Sequence, residues 1–225
     1  INILKSNFEW VSIEEIVDVF IDGNWVESKD QSNEGIRLIQ TGNIGFGEYL
    51  DKPDRARYIS ENKFDELKCT EVYEGDILVS RLPDPVGRAC LVPKTDTRMI
   101  AAVDCTIIRF NKKKMLPKLF VYYTKTNGYY KNIKRYLTGS SRQRIRRSNL
   151  AKVLIPLPPL DLQEAIVNEV GGYQKIVNAN KKLVTIYEQK INGKISEVWG
   201  DSKEEKEGAV TIVRGPKKER IGGGG

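Results

Sequence analysis

The sequence contains no histidine and only three cysteines, Cys69, Cys90 and Cys105, among 225 residues. Without histidine there is no Ser-His or Cys-His nucleophile pair, no HExxH zinc site and no imidazole base. The cysteines form no CxxC pair and are too few for a disulfide framework, which argues against structural zinc. No apolar run approaches the ~20 residues of a membrane span, and no signal-like segment opens the sequence. These features predict a cytosolic protein with reduced thiols and no membrane association. At 40% hydrophobic and 30% charged, the composition is globular, and the length suits one large domain or two small ones.

A further absence is local. Between Cys105 and Leu160 there is no Asp or Glu, while fourteen lysines and arginines stand there, from Arg109 to Lys152. The net charge is +7, so the rest of the chain carries −7. A solvated basic face is the plain reading of such a window; a footprint for a polyanion accounts better for its length. Phosphate neutralisation would give affinity that falls steeply with salt.

Residues 8–21 read as an extended entry and a short helix, with Ser12 as N-cap and Glu15 completing a capping box. Residues 36–40 read as a strand followed by a glycine-rich turn over 41–47, and Ser60 caps a short helix to Leu67. Strands are expected at 75–80 and 88–92 around a proline-rich loop, and at 100–110 as a pair or one long strand. Their spacing predicts a curled, mostly antiparallel sheet. Residues 117–137 read as helical, interrupted at Asn127 and Gly128. Their tyrosines recur at helical spacing, which favours core packing over base stacking. A polar loop over 138–147 precedes an expected strand at 151–155, and the prolines at 156, 158 and 159 mark a boundary. The fold class is α+β: a globular domain over 1–158, a long coiled-coil-like helix within 159–200, and a charged, glycine-ended flexible tail over 201–225.

From Gln163 to Trp199 the apolar positions step by alternating four and three. Val170, Val177, Val184, Ile191 and Val198 fill one core position of a heptad; Ile166, Tyr173, Asn180, Tyr187 and Lys194 fill the other. Asn180 and Lys194 cost stability there but can fix register. Ile176 and Leu183 widen the stripe. Such a helix, ~55 Å long, needs another long helix from a second copy or a partner.

Two short motifs bear on enzyme activity. Asp54 followed by Glu61 and Lys63 matches the loose PD…ExK pattern of a metal-dependent nuclease, but the acids are close together and Glu61 falls on a helix. A DNA methyltransferase would need a cofactor loop and a catalytic Asp/Asn-Pro-Pro-aromatic tetrapeptide. The turn at 42–47 is not GxGxxG, and Pro158-Pro159 lies between leucines. A binding module remains, either sequence-specific or a nonspecific nucleic-acid-binding coiled-coil protein. Ser140, Ser141, Arg142, Gln143, Arg144, Arg146 and Arg147 make the prime contact segment: arginine bonds guanine bidentately, glutamine bonds adenine, and most arginines position on phosphate. Arg37, Gln40, Thr41 and Asn43 form a second candidate set, and Ser80, Arg81 and Arg88 a third. Arg37 and Arg88 fit structural ion pairs equally well.

The order of segments resembles the specificity subunit of type I DNA restriction-modification systems, specifically one half of it. The resemblance runs over about residues 8–199. It rests on residues 10–16, 36–40, 75–80, the Gly87-Arg88-Ala89 turn, Thr138 to Ser141 with Gln143 and Ile145, residues 155–160, and Gln163 with Ile166 and Val167. It implies a target recognition domain for double-stranded DNA joined to a spacer helix, in a subunit that is itself not catalytic. Full-length members carry two such halves whose helices pack antiparallel. Partners would be DNA adenine methyltransferase subunits, which use S-adenosylmethionine, and a restriction motor subunit; no cofactor is expected on this chain. The sequence departs from the family in length, with one recognition domain and one helix. It fits a half-subunit that homodimerises, a fragment, or part of a fused enzyme, and implies a prokaryotic, cytoplasmic setting.

Overall fold

The computed structural model describes residues 8–199, so the charged tail over 201–225 lies outside the described residues. The chain begins with β1 (Glu9–Ser12), a 3-10 turn (Ile13–Ile16) and β2 (Val17–Asp22), followed by β3 (Ile36–Ile39), β4 (Tyr58–Ile59) and α1 (Glu61–Glu66). Next come β5 (Glu71–Val72), β6 (Ile77–Ser80), β7 (Ala89–Leu91), β8 (Met99–Ala101) and β9 (Cys105–Phe110). Helices α2 (Pro117–Tyr123) and α3 (Asn127–Lys134), hairpin strands β10 (Leu137–Thr138) and β11 (Arg144–Ile145), α4 (Arg147–Ala151), β12 (Leu154–Leu157) and α5 (Leu160–Trp199) complete it.

The expected mostly antiparallel sheet structure is present, divided between two four-stranded sheets. The first has the order β2-β9-β6-β7 and is antiparallel throughout; the second has the order β4-β3-β8-β5, with β3 and β8 parallel. Period-2 alternation explains the stacking. On β6, Ile77 and Val79 join the core that holds α2, α3 and α4, while Leu78 faces a second core. On β9, Ile108 and Phe110 face the first core and Cys105 and Ile107 the second. Ile39, Met99 and Ala101 of the second sheet close that middle core. Ile36, Leu38 and Ile100 on its far side pack with Ile59 and with Phe64 of α1. The layers are therefore helices, sheet, sheet, helix. Strands buried on both faces read as continuous apolar runs, which is why residues 77–80 and 105–110 show little polar alternation.

The capping box at Ser12 forms, with the Ser12 amide donating to Glu15 Oε1 at 3.0 Å and the two side chains also bonded. The element it opens is a single 3-10 turn. Ser60 caps α1, accepting from the Lys63 amide at 3.2 Å. The expected pair at 100–110 splits between the two sheets. Thr126 starts α3 as an N-cap, so Gly128 sits within a helix and not in the break. The expected strand at 151–155 is corrected: α4 occupies Arg147–Ala151, and β12 starts at Leu154. Pro156 is tolerated in β12 because that strand forms only a two-stranded ribbon with β1, where Trp10 opposes Pro156.

The chain divides into two compact units, the first running to Tyr173 and the second from Gln174. The start of α5 thus belongs to the globular unit. Gln163 is fully buried there; its amide donates to Lys114 O and Pro158 O, both at 2.8 Å, and accepts from the Leu116 amide at 2.9 Å. Ile166 and Val167 pack on the helical core. Within the second unit, Val177, Val184, Ile191 and Val198 are exposed by 45–64%, with Asn180 and Tyr187 also exposed. All described cysteines are free thiols, and no helix among the described residues is long and apolar enough to cross a membrane.

Candidate nucleic-acid interface

The polar loop expected at 138–147 is a short antiparallel hairpin, with Leu137 opposite Ile145 and Thr138 opposite Arg144. Gly139 carries φ +93 at its turn, and a Cβ there would stand 2.6 Å from Arg142 O, so no other residue fits without rearrangement. Ile145 is fully buried in the helical core and its amide donates to Arg81 O at 3.2 Å. This anchors the hairpin beside the loop that follows β6. Ser140, Ser141, Arg142, Gln143 and Arg144 are left exposed at the tip. Alternation between one buried apolar residue and flanking exposed arginines is what points the polar groups outward.

Between the hairpin and the loop at 83–86 lies a recess of about 400 Å³. Tyr130, Ile133 and Lys134 of α3 line it together with Arg142 and Gln143. Arg146 and Arg147 lie at the start of α4, exposed, and line a second recess with Arg81 and Asp22. Arg147 Nε is 3.8 Å from Asp22 Oδ2, so part of its charge is already matched. Among the other basic residues of the acid-free segment, Arg109 is committed to the buried Asp76 through two bonds of 2.7 Å, and Lys114 Nζ donates to Glu15 O at 2.8 Å.

Of the remaining predicted contacts, five are buried in the chain by itself. Arg88 is 9% exposed, and its guanidinium donates to four carbonyls: Thr41 at 2.8 Å, Ile44 at 2.8 Å, Leu82 at 3.0 Å and Pro85 at 3.2 Å. It thereby ties the turn at 41–47 to the loop at 82–85. Burial lowers its pKa, but the carbonyl cage suits the charged form. Arg81 is buried; its Nη2 donates to Val103 O at 2.7 Å and its Nε lies 3.2 Å from Asp22. Ser80 is fully buried, with its hydroxyl donating to Leu82 O at 3.1 Å. Asn43 braces its own turn, accepting from the Gln40 amide at 3.0 Å and donating to Leu50 O at 2.9 Å. Arg37 is 6% exposed, lies over the Tyr58 ring at 5.5 Å and reaches Asp51 at 3.5 Å. These five are committed mainly to contacts within the chain, although Arg81 still lines the recess with Arg146 and Arg147. Gln40 and Thr41 remain half-buried beside the turn.

The nuclease reading also fails on geometry. Glu61 pairs with Arg98, Lys63 pairs with Glu66 at 2.7 Å and Asp30 at 3.4 Å, and Asp54 sits on a separate 3-10 turn. No group of acidic, cysteine or histidine side chains suited to a metal occurs among the described residues.

Sequence reasoning missed Phe46. It is 47% exposed at the tip of the glycine-rich turn, with its ring stacked on Tyr130 at 5.8 Å and 9°. An aromatic residue between two glycines was the available signal.

Comparison with known proteins agrees with this architecture. A family model described as the type I restriction modification DNA specificity domain matches residues 5–191. The type I restriction enzyme MjaVIII specificity subunit of Methanocaldococcus jannaschii is 20% identical over 187 residues, covering 80% of this chain and 42% of that protein. Among solved structures, a chain of a type I R-M system described for its complex assembly and conformational transition superposes with a TM-score of 0.61 at 21% identity. It covers 84% of this chain and 44% of its own. The HsdS subunit from Thermoanaerobacter tengcongensis gives 0.55 at 22% identity, covering 78% and 39%. The chain spans less than half the length of each of these relatives. With the family model matched over most of its length, the chain belongs to the type I restriction modification DNA specificity domain family.

Proposed function

We propose that this chain is a sequence-reading module for double-stranded DNA that directs adenine methylation and restriction by partner subunits of a type I restriction-modification system. The specificity-domain match over residues 5–191 carries this reading, and the exposed polar tip of the hairpin, Ser140 to Arg144, supports it chemically. Gln143 and Arg142 reach base edges, while Arg144, Arg146 and Arg147 engage phosphates and set the register. The chain holds no cofactor and performs no chemistry itself; S-adenosylmethionine belongs to the methyltransferase partner. The exposed seam of α5 packs against the helix of a second recognition half, which for this chain alone is a second copy. Two identical halves would read a symmetric split sequence.

Selection from a random duplex pool at near-physiological salt, with excess nonspecific competitor and with or without a methyltransferase subunit, tests the reading. The expected result is a short motif repeated across a fixed gap. On the enriched duplex, Gln143→Ala changes the preferred bases, whereas Arg146→Ala weakens all sequences alike and flattens the salt dependence by about one phosphate contact. Binding that enriches no motif and vanishes with salt would replace this reading with nonspecific binding.

A further inference from the structure

Beyond the hairpin, we infer that Phe46 is a nucleobase-stacking residue: its free ring face receives a base exposed by local unstacking of the bound duplex. The inference rests on the DNA-reading function proposed above. Phe46 stands at the tip of the turn at 41–47 with one face laid parallel on Tyr130 and nearly half of its surface in solvent. A single exposed phenylalanine needs no explanation by itself. Here the tip is braced on every side. Arg88 holds the carbonyls of Thr41 and Ile44, the Gly45 amide donates to Glu48 O at 2.9 Å, and the Gly47 amide donates to Ala89 O at 2.9 Å. The ring is therefore preorganised and keeps one face open. Stacking on aromatic side chains is tolerant of sequence because every base has a π-face, and apolar wedges inserted at base steps unstack and kink duplexes.

The surroundings match a nucleic acid and not an apolar protein partner. Gly47, at φ +86, lies so close to Lys125 that a Cβ there would fall 1.8 Å from its Cε and 2.7 Å from its Nζ, so an ammonium group sits against the tip. Tyr130, beneath Phe46, also lines the recess walled by Arg142 and Gln143. Phe46 and the polar hairpin thus share Tyr130 as a floor, with the Lys125 ammonium beside Gly47 at the tip. The Tyr130 hydroxyl is buried without a hydrogen-bond partner among the described residues, and burial pushes it up to about 12.

The test uses the full chain and the duplex enriched by selection, carrying 2-aminopurine at single positions in turn. The parent protein is expected to raise fluorescence at one step or two adjacent positions. Phe46→Ala should abolish that rise and weaken binding roughly tenfold. Phe46→Leu, which can still wedge a base step but offers no π-face, should keep part of the fluorescence rise and bind as weakly as the alanine variant, and Phe46→Trp should retain both signals. Circular dichroism and thermal melting check that each variant folds. Specific binding by the parent with no fluorescence rise, or binding by Phe46→Ala within twofold of the parent, overturns the stacking role and leaves the DNA-reading function standing. Absence of specific binding by the parent overturns both.

Discussion

Arg88 carries a full charge into the interior with no carboxylate bonded to it, satisfied instead by four carbonyls drawn from two loops. Those loops present Phe46 and one wall of the recess, so the guanidinium fixes the two loops relative to each other. Arg88→Ala would strand these carbonyls and should cost about 2–4 kcal/mol in urea denaturation. Arg88→Lys keeps the charge but loses the fork, and should fall between alanine and the parent. A loss below about 0.5 kcal/mol for Arg88→Ala would mean that water replaces the cage freely. The buried thiols and phenols add a pH dependence. Burial pushes Cys90 up to about 12 and raises Cys105 and Tyr129 in the same direction. In the unfolded chain the thiols ionise near 9 and the phenol near 10, while in the folded chain all three keep their protons. Above those values the folded state binds more protons, so stability is full below about pH 9 and declines as pH rises. Each group contributes a slope of up to ~1.4 kcal/mol per pH unit. Urea midpoints should be level from pH 7 to 8.5 and fall steadily from 9 to 10.5; a level profile throughout would contradict the assigned burial.

At the scale of elements, Gln163 joins α5 to the globular unit through three hydrogen bonds that only an amide can make, donating two and accepting one. Gln163→Ala leaves a backbone amide and two carbonyls without partners and should cost about 1–3 kcal/mol. Gln163→Glu should be worse at neutral pH than at pH 4, because a carboxylate cannot donate to Lys114 O and Pro158 O. Equal midpoints for parent and alanine variant would show that the apolar contacts of Ile166 and Val167 alone hold the junction. The sequence made this junction partly legible: the proline boundary, the long helix and Gln163 itself were all readable, but not the partners Lys114 and Leu116, which lie far away in the chain. Ser12 and Ser60 were legible as caps because capping is local. The strand expected at 151–155 was misplaced because its apolar residues serve two elements, with Leu150 and Ala151 closing α4 and Val153 and Ile155 entering the core beyond it. The hairpin was read as a loop because its pairing covers only two residues on each side. Charge alone could not sort the arginines. Only the fold decides that Arg88 meets four carbonyls, and Arg81 a carbonyl and the Asp22 carboxylate, in place of solvent.

For the whole molecule, the unresolved demand is the seam of α5. The helix is about 60 Å long, and its β-branched line from Val177 to Val198 is exposed in the single chain. Leaving that line in water forgoes most of the burial energy its side chains could supply, ~1.5–3 kcal/mol for each one fully buried. Asn180 and Lys194 on the companion line lower stability and select register, which matters only when another helix is opposite. The second recognition half proposed above is the occupant whose presence on this seam can be tested. The chain should therefore sediment as a dimer at micromolar concentration, and its melting temperature should rise with protein concentration, because association stabilises by mass action. Val184→Asp places a charge at the centre of the seam. It should yield a folded monomer, since Val184 is 56% exposed and contributes nothing to the globular core. On the proposed function, that monomer should lose the gapped, repeated motif and retain a single half-motif with weaker binding. A parent that stays monomeric at tens of micromolar while selecting an ungapped motif would remove the second copy from the seam and leave it to a different long-helix partner.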